Sequence, residues 1–380
     1  MQYDTITWLG WMWATVGLYW LAPRRWRLMT LAAISALFLA TISPLSVAIL
    51  ASFVLVAHLT ANTRDPSWKT AGLGVGLVIL VLGYYKLNTA IDIENLGEGV
   101  LLPLGISYYS FRVIHFILER YKRHVDRVSF HDLIGYLFFI PTLVVGPIHR
   151  IDDFIYDLRR QRFDPAMLSD GAERIVYGYF KIAVLSNFLV EGRFGAYIDS
   201  LGAETSPLVT YLLIVQNGFN LYFQFSGYSD IAIGFARLLG FRVLENFNWP
   251  YLQPNISAFW RSWHISLSRW ARDYIYGIVV SLTRSPALGA MGVMIVIGVW
   301  HEISFRFLLW GAYHGTGLIV WQKWNTHGPA LPAATPPWLV NAIYVAKVVF
   351  TVHFVWFGFV ILTAEGPREA LEILARFLPF

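Results

Sequence analysis

Apolar residues occur along this 380-residue chain in long runs, which short polar or charged connections separate. Most of the runs approach the roughly 20 residues that a helix needs to cross a bilayer. The pattern predicts an all-α polytopic membrane protein with about ten to eleven transmembrane or re-entrant helices, near 5–21, 28–42, 45–61, 70–86, 100–118, 132–148, 174–190, 207–236, 287–301, 305–322 and 339–363.

Two of these runs depart from a simple crossing. Gly218, Gly227 and Gly234 interrupt the long run 207–236, which predicts a bend or a split there. The run 287–301 is short for a full crossing, so it is either a span or a re-entrant segment whose backbone is satisfied by protein or water.

Composition supports the membrane assignment. Hydrophobic residues make up 56% of the chain and charged residues 14%, against about 25% charged in ordinary soluble domains. This balance excludes an ordinary soluble enzyme and predicts one integral membrane domain over residues 1–380. The chain has no cysteine, which excludes thiolate nucleophiles, protein-bound thioesters and cysteine-ligated metals.

Charged connections between the runs indicate an orientation. The connections 22–27, 62–69 and 119–131 are basic, while the connection 87–99, with three acidic residues, falls between them on the other side by alternation. Since basic residues mark the cytoplasmic side, we expect these basic loops to be cytoplasmic. The mixed segment 149–172 does not fit this simple alternation.

The segment 255–276 has helical spacing with two different faces. Asn255 is suited to cap the helix start, Trp263 and Trp270 share an apolar stripe, and Arg261 and His264 fall on the opposite face. One interpretation is an anchor at the membrane surface, which periodicity alone favours. The other is a polar face directed at a cavity inside the protein.

His301 ends the apolar run 291–300, so it is expected at or near membrane depth. An ionisable side chain there is costly, which favours a functional role. Two interpretations remain open: a general base, or a structural histidine that bridges helices. A metal site is not expected, because Phe305 occupies the position where an HExxH motif needs its second histidine.

Asp230 and Ser226 lie within another apolar run. A buried carboxylate needs a positive partner or a proton, and Arg237, Arg261 and Lys181 are the candidate partners. Asp230 either ties helices together, which is the commoner situation, or contributes to a site.

Several long motifs occur in one order along the chain. They are PLGISYYSFRVIHFI, FIPTLVVGPIHR, YFQFSGYSDIAIGFARLLGF, ENFNWPYLQPNISAFWRSWHISLSRWARDYIY and GVWHEISFRFLLWGAYHG. Together they resemble the membrane-bound O-acyltransferase family, in the branch of bacterial polysaccharide O-acetylation and teichoic acid D-alanylation proteins. The resemblance covers about residues 100–320, and the ordered set of motifs makes it specific.

The resemblance implies a fold and a site. The fold is a curved ring of helices around a central tunnel, in which a cytoplasmic acyl donor meets an acceptor from the other side. His301 corresponds to the presumed catalytic histidine, and His264 to a second histidine that would bind the donor or stabilise the oxyanion. Glu302 stands where many relatives have glycine, and its carboxylate is a candidate either to orient His301 or to raise the pKa of His301. Candidate substrate-binding residues are Trp300, Trp263, Arg261, Asp230, Ser226 and Glu302.

The implied function is transfer of an acyl group, acetyl in the first place, in a bacterial cytoplasmic (inner) membrane. The donor would be acetyl-CoA or an acyl carrier protein thioester, with no bound cofactor or metal. The acceptor would be a hydroxyl of an extracytoplasmic polysaccharide or a partner acyltransferase. Membrane lipids are expected partners and nucleic acid is not. The alternatives are D-alanyl transfer from a carrier protein to a cell-envelope polymer and, from another class, a proton-coupled transporter or flippase.

Overall fold

The computed structural model describes residues 6–91, 103–202, 206–329, 332, 334–364 and 366–377. Helices account for most of these residues, and no strand occurs among them. The one extended pairing within the described ranges is an isolated antiparallel bridge between Phe247 and Trp263. The chain is therefore all-α, as its apolar runs predict. The acidic side chains Asp92, Glu94 and Glu98 of the connection 87–99 lie outside the described residues.

The helices are numbered in chain order. They are α1 (Ile6–Leu21), α2 (Arg27–Ile42), α3 (Pro44–Ala61), α4 (Trp68–Ile91), α5 (Ile106–Tyr121), α6 (Phe130–Leu137), α7 (Ile151–Arg160), α8 (Pro165–Phe180), α9 (Gly195–Ser200), α10 (Pro207–Leu238), α11 (Ile256–Ser262), α12 (Ile265–Ala271), α13 (Gly277–Thr283), α14 (Pro286–His301), α15 (Phe305–His327), α16 (Pro337–Thr363) and α17 (Pro367–Ala375). Two π-helical segments, Lys181–Phe194 and Arg272–Tyr276, continue α8 and α12, and short 3₁₀ turns cover Ile140–Thr142 and Pro250–Leu252.

Within the described part of the chain, three helical stretches are long and apolar enough to cross a bilayer: Pro44–Ala61, Trp68–Asn88 and Pro337–Leu362. Two shorter apolar helices, Arg27–Ile42 and Pro286–His301, accompany them. Their composition is that of a membrane protein, because a helix with this little charge has no polar face to present to water.

The chain divides into two compact units, and α10 contributes to both. The first unit comprises residues 1–180 and 227–245, and the second comprises 181–226 and 246–380. The core of the first unit contains a cluster of aromatic side chains, in which the Phe154 and Phe241 rings stack at 4.8 Å and the Phe139 ring packs edge-on against both.

The apolar run 132–148 does not form the single span expected from its hydropathy. The α6 helix ends at Leu137, and after a short turn at Ile140–Thr142 the chain is irregular as far as His149. Pro141 lacks a backbone N–H, and Gly146 has φ +124°, a conformation that L side chains rarely adopt. The prediction of a span was wrong here because local breakers outweighed hydropathy.

The glycines of α10 permit close packing and do not break the helix. A Cβ atom on Gly234 would lie 2.6 Å from the carbonyl oxygen of Gly171 in α8, and one on Gly178 would lie 2.7 Å from that of Gly227. The α10 helix runs unbroken over 32 residues. The predicted split was therefore wrong, and a bend stays a prediction. The missing side chains let α8 and the C-terminal part of α10 approach closely.

Candidate active site

The pair of helices α14 and α15, both in the second unit, determines where His301 lies. The two helices pack almost backbone to backbone: a Cβ atom on Gly311 would lie 2.6 Å from the carbonyl oxygen of Met294. The α14 helix ends at His301, and Ser304 caps α15 by accepting a hydrogen bond from the backbone N–H of Phe307. The histidine therefore stands at the end of a tightly held hairpin of helices.

The imidazole of His301 is exposed and surrounded by aromatic rings on one side. Its centroid lies 4.4 Å from the Trp300 ring, 5.8 Å from the Phe307 ring and 6.0 Å from the Trp310 ring. These rings limit the orientations of the imidazole, while its exposure leaves it accessible to a reacting group. Trp310 is a neighbour that no sequence pattern indicates.

Glu302 follows His301, and its carboxylate is bound by an arginine one helical turn away. Arg306 donates from Nε and Nη2 to the two oxygens of Glu302, at 3.2 and 2.8 Å, and from Nη1 to the carbonyl oxygen of Ala364 at 3.2 Å. Arg306 thus forms a bidentate ion pair with Glu302, and its third hydrogen bond joins the start of α15 to the end of α16. Glu302 therefore has a structural role that the sequence did not indicate, and its predicted role at His301 stays a prediction.

The segment 255–276 is not one continuous helix, so the predicted arrangement of its faces was wrong. Asn255 caps α11 as predicted, since its side chain accepts a hydrogen bond from the backbone N–H of Ala258 at 2.8 Å. The helix then ends at Ser262, and His264 has φ 43° and ψ 54°, in the left-handed region. Pairing of residues 246–248 with 262–265 replaces the helical hydrogen bonds at this break.

His264 is buried in the second unit, with only 3% of its surface exposed. Its ring packs edge-on against Phe225 at 4.8 Å, and its Nδ1 lies 3.1 Å from Oδ1 of Asn246. Its Nε2 has no hydrogen-bond partner among the described residues. A membrane-surface anchor would have left this side chain exposed, so the anchor interpretation was wrong.

Asn246 connects the two sides of this break. Its Oδ1 also accepts from Ser266, at 3.3 Å from the backbone N–H and 2.9 Å from the hydroxyl. Its main-chain oxygen accepts from the N–H of Ile265 at 2.9 Å. No periodicity in the sequence points to Asn246, because its role depends on contacts about twenty residues away.

The two histidines are electrostatically coupled. His264 lies outside the candidate membrane spans, and burial lowers its pKa to about 3, with repulsion from His301 contributing in the same direction. His264 is therefore neutral near pH 7. Both imidazoles belong to the second unit.

The other predicted site residues of the second unit have diverse surroundings. Trp263 is buried and stacks on Phe259 at 5.5 Å, next to His264 in the chain. Arg261 is exposed and donates to the hydroxyl of Ser257 at 2.6 Å. Ser226 is 1% exposed, and its hydroxyl has no partner among the described residues.

Asp230 belongs to the first unit and has a partner that the sequence did not suggest. Nε of Arg174, in α8, donates to Oδ1 of Asp230 at 2.7 Å, and Nη2 of the same arginine donates to Glu245. Arg237, one of the predicted partners, lies 3.7 Å from Glu245. Asp230 thus takes part in an ion-pair network that joins α8 to α10 and to the segment after it.

No three histidine or acidic side chains within the described ranges come close enough together to hold a metal ion. The candidate reactive groups are one exposed and one buried imidazole among aromatic side chains. Such a pair is suited to proton transfer and hydrogen bonding with a substrate.

The sequence model of the membrane-bound O-acyltransferase family matches residues 26–362, and the chain belongs to that family. It is an acyltransferase and a membrane protein. The match extends beyond the stretch 100–320 that carries the motifs.

Individual relatives carry more specific names. A probable alginate O-acetylase of Pseudomonas putida is 31% identical, over 96% of this chain and 77% of its own length. A teichoic acid D-alanyltransferase of Bacillus subtilis is 30% identical, over 69% of each chain. A peptidoglycan O-acetyltransferase of Helicobacter pylori is 26% identical, over 93% of this chain and 73% of its own.

Proposed function

We propose that this protein transfers an acetyl group from a cytoplasmic thioester donor to a hydroxyl of an extracytoplasmic polysaccharide or to a partner protein. The observation that carries the proposal is the similarity to an alginate O-acetylase over 96% of the chain, and the exposed His301 and buried His264 of the second unit support it. The donor is acetyl-CoA or an acyl carrier protein thioester. The protein acts as a multi-pass protein of the bacterial inner membrane.

His301 is the general base of the proposed reaction. It takes the proton of the acceptor hydroxyl as the oxygen attacks the thioester carbonyl, and the resulting C–O bond replaces the C–S bond. The thiolate leaves and takes a proton from the imidazolium, which restores neutral His301. Its exposure at the end of α14 supports this role, because the base must reach a substrate.

The remaining site residues serve binding in this proposal. His264 acts with His301 at the reacting groups, and the residues proposed to contact substrate are Trp300, Trp263, Arg261, Ser226, Glu302 and Asp230. The fold proposed for the whole chain is a single membrane domain with a curved ring of ten to eleven helices around a tunnel. Membrane lipids, and the donor and acceptor partners, are the expected contacts.

D-alanyl transfer is the second candidate. The 30% identity to a D-alanyltransferase favours it, but that match covers 69% of this chain against 96% for the alginate O-acetylase. Family membership also disfavours a transporter or flippase, since the family is defined by acyl transfer.

The test is transfer by purified protein in nanodiscs, with labelled acetyl-CoA, acetyl carrier protein or D-alanyl carrier protein as donor. His301→Ala should lower kcat about 10²–10⁴-fold, the usual contribution of a general base. His327→Ala is the matched control, because His327 is exposed near the end of α15 and has no role in the proposed reaction. Wild-type turnover by the His301→Ala protein, correctly folded, would refute the assignment.

A further inference from the structure

The hydrogen bonds of Asn246 determine which nitrogen of His264 carries hydrogen. The backbone N–H of Ser266 lies 3.3 Å from Oδ1 of Asn246 and can only donate, so the atom that faces it is the amide oxygen. The same oxygen lies 3.1 Å from Nδ1 of His264 and can only accept. Nδ1 therefore carries the hydrogen, and Nε2 of the neutral ring carries a lone pair.

We propose that Asn246 is a positioning residue that holds His264 as the Nδ1–H tautomer, so that Nε2 accepts a hydrogen bond from an acceptor hydroxyl next to the reacting one, whose own hydrogen goes to His301. The inference rests on the proposed function and deepens it, because it assigns His264 to the acceptor alcohol. The lone pair of Nε2 has no partner among the described residues, so a second hydroxyl of the acceptor supplies the missing donor.

This tautomer conflicts with the expected role of His264 at the oxyanion. Stabilising an oxyanion requires a donor directed at the developing charge. Nε2 of the Nδ1–H tautomer has no hydrogen to donate, and only the imidazolium form would supply one. Burial and the neighbouring His301 both disfavour that charged form. The oxyanion role therefore falls to other groups, and His264 acts on the alcohol.

The backbone at His264 is also held by Asn246. The left-handed conformation of a non-glycine residue is strained, and it persists where the surroundings enforce it. Here the main-chain oxygen of Asn246 accepts from Ile265, and Phe247 pairs with Trp263. One residue thus fixes both the direction of the ring, through its backbone, and the ring's tautomer, through its side chain.

A direct test reads the tautomer without measuring activity. The protein is labelled with [¹⁵N]histidine, and the His264 ring signals are assigned by their loss in His264→Gln. In the wild type we expect a protonated Nδ1 and an unprotonated Nε2 at neutral pH. In Asn246→Leu, which has a similar volume and no oxygen, the Nε2–H tautomer should appear. A wild-type spectrum with hydrogen on Nε2, or an unchanged spectrum in Asn246→Leu, overturns the proposal.

Kinetics supply a second readout that a merely structural role would not change. Asn246→Asp keeps an acceptor oxygen for Ser266 and Nδ1, so it should fold and keep the tautomer. The new carboxylate should raise the pKa of His264, and activity should then fall at a higher pH on the acid side. Asn248→Asp is the matched control, because Asn248 is exposed in the same segment and its new charge should leave the profile unchanged.

Asn246→Leu should lower kcat about tenfold to a hundredfold, through loss of orientation, with a smaller effect on the KM for the donor. The inference is contradicted if the acid side of the pH–activity profile does not shift in Asn246→Asp, or if Asn246→Leu keeps full activity. Absence of acyl transfer by the wild type refutes the proposed function instead, and the tautomer measurement still decides the state of His264.

Discussion

The ion pair of Asp230 and Arg174 permits a quantitative test of whether Asp230 is structural or binds substrate. The Asp230 side chain is 6% exposed and that of Arg174 is 26% exposed. Asp230→Asn keeps the shape and removes the charge, so it weakens a hydrogen bond between two charged groups. Such bonds contribute about 1.5–3 kcal/mol when buried. Because Arg174 is partly solvated and keeps Glu245 as a partner, we expect a loss of about 2 kcal/mol.

Glu245→Gln is the matched control for this substitution. It removes the other carboxylate bound to the same arginine, but its side chain is 44% exposed. Exposed ion pairs contribute about 0.2–1 kcal/mol, so this variant should lose less than about 1 kcal/mol. Both free energies of unfolding can be measured in mixed micelles of a mild detergent and dodecyl sulfate.

Activity per folded molecule separates the two roles of Asp230. If it is structural, Asp230→Asn should be less stable while kcat and KM stay near the wild-type values below the unfolding transition. A loss of stability no larger than that of Glu245→Gln refutes the energetic reasoning. Unchanged stability with a raised KM would instead assign Asp230 to the substrate.

Two further predictions concern packing and pH. Gly311→Ala should destabilise the protein by about 1–3 kcal/mol, since the new Cβ meets the Met294 carbonyl oxygen at 2.6 Å. Gly72→Ala, with nothing within 4 Å of its Cβ, should be neutral or stabilising by up to about 1 kcal/mol, and thermal unfolding followed by tryptophan fluorescence compares them. The pKa of His264 is lower in the folded protein, at about 3, so the unfolded chain binds the extra proton. The contribution of neutral His264 to stability is complete above about pH 6.5 and is lost as pH falls toward 3. The free energy of unfolding, measured between these two pH values, should therefore decline less steeply in His264→Gln than in the wild type.

Hydropathy predicts the helices of this chain well where packing and hydropathy agree. The runs near 28–42 and 45–61 correspond closely to α2 and α3, and the run near 287–301 to α14. Local chemistry was also informative, as the cap at Asn255 illustrates. These features depend only on residues within one or two helical turns of each other, so the sequence alone is enough to predict them.

Contacts between distant segments explain what the sequence could not predict. Apolar residues over 255–276 recur with the spacing of one helix, yet pairing with residues 246–248 breaks the helix at His264. Asp230 has three plausible partners by distance in the chain, and its observed partner is Arg174, 56 residues away. A periodicity describes one element at a time, so it contains no information about which other element will compete for its hydrogen bonds.

The different surroundings of the two histidines argue for different tasks. His301 is exposed at a helix end beside the rings of Trp300 and Trp310, and this accessibility suits a group that takes and returns a proton. His264 is buried, and its neutral form is fixed by an acceptor at Nδ1, which suits a group that keeps one protonation state. Burial disfavours the charged conjugate acid of His264, which makes this residue a poor base. The proton therefore goes to His301, and His264 orients the acceptor through a neighbouring hydroxyl.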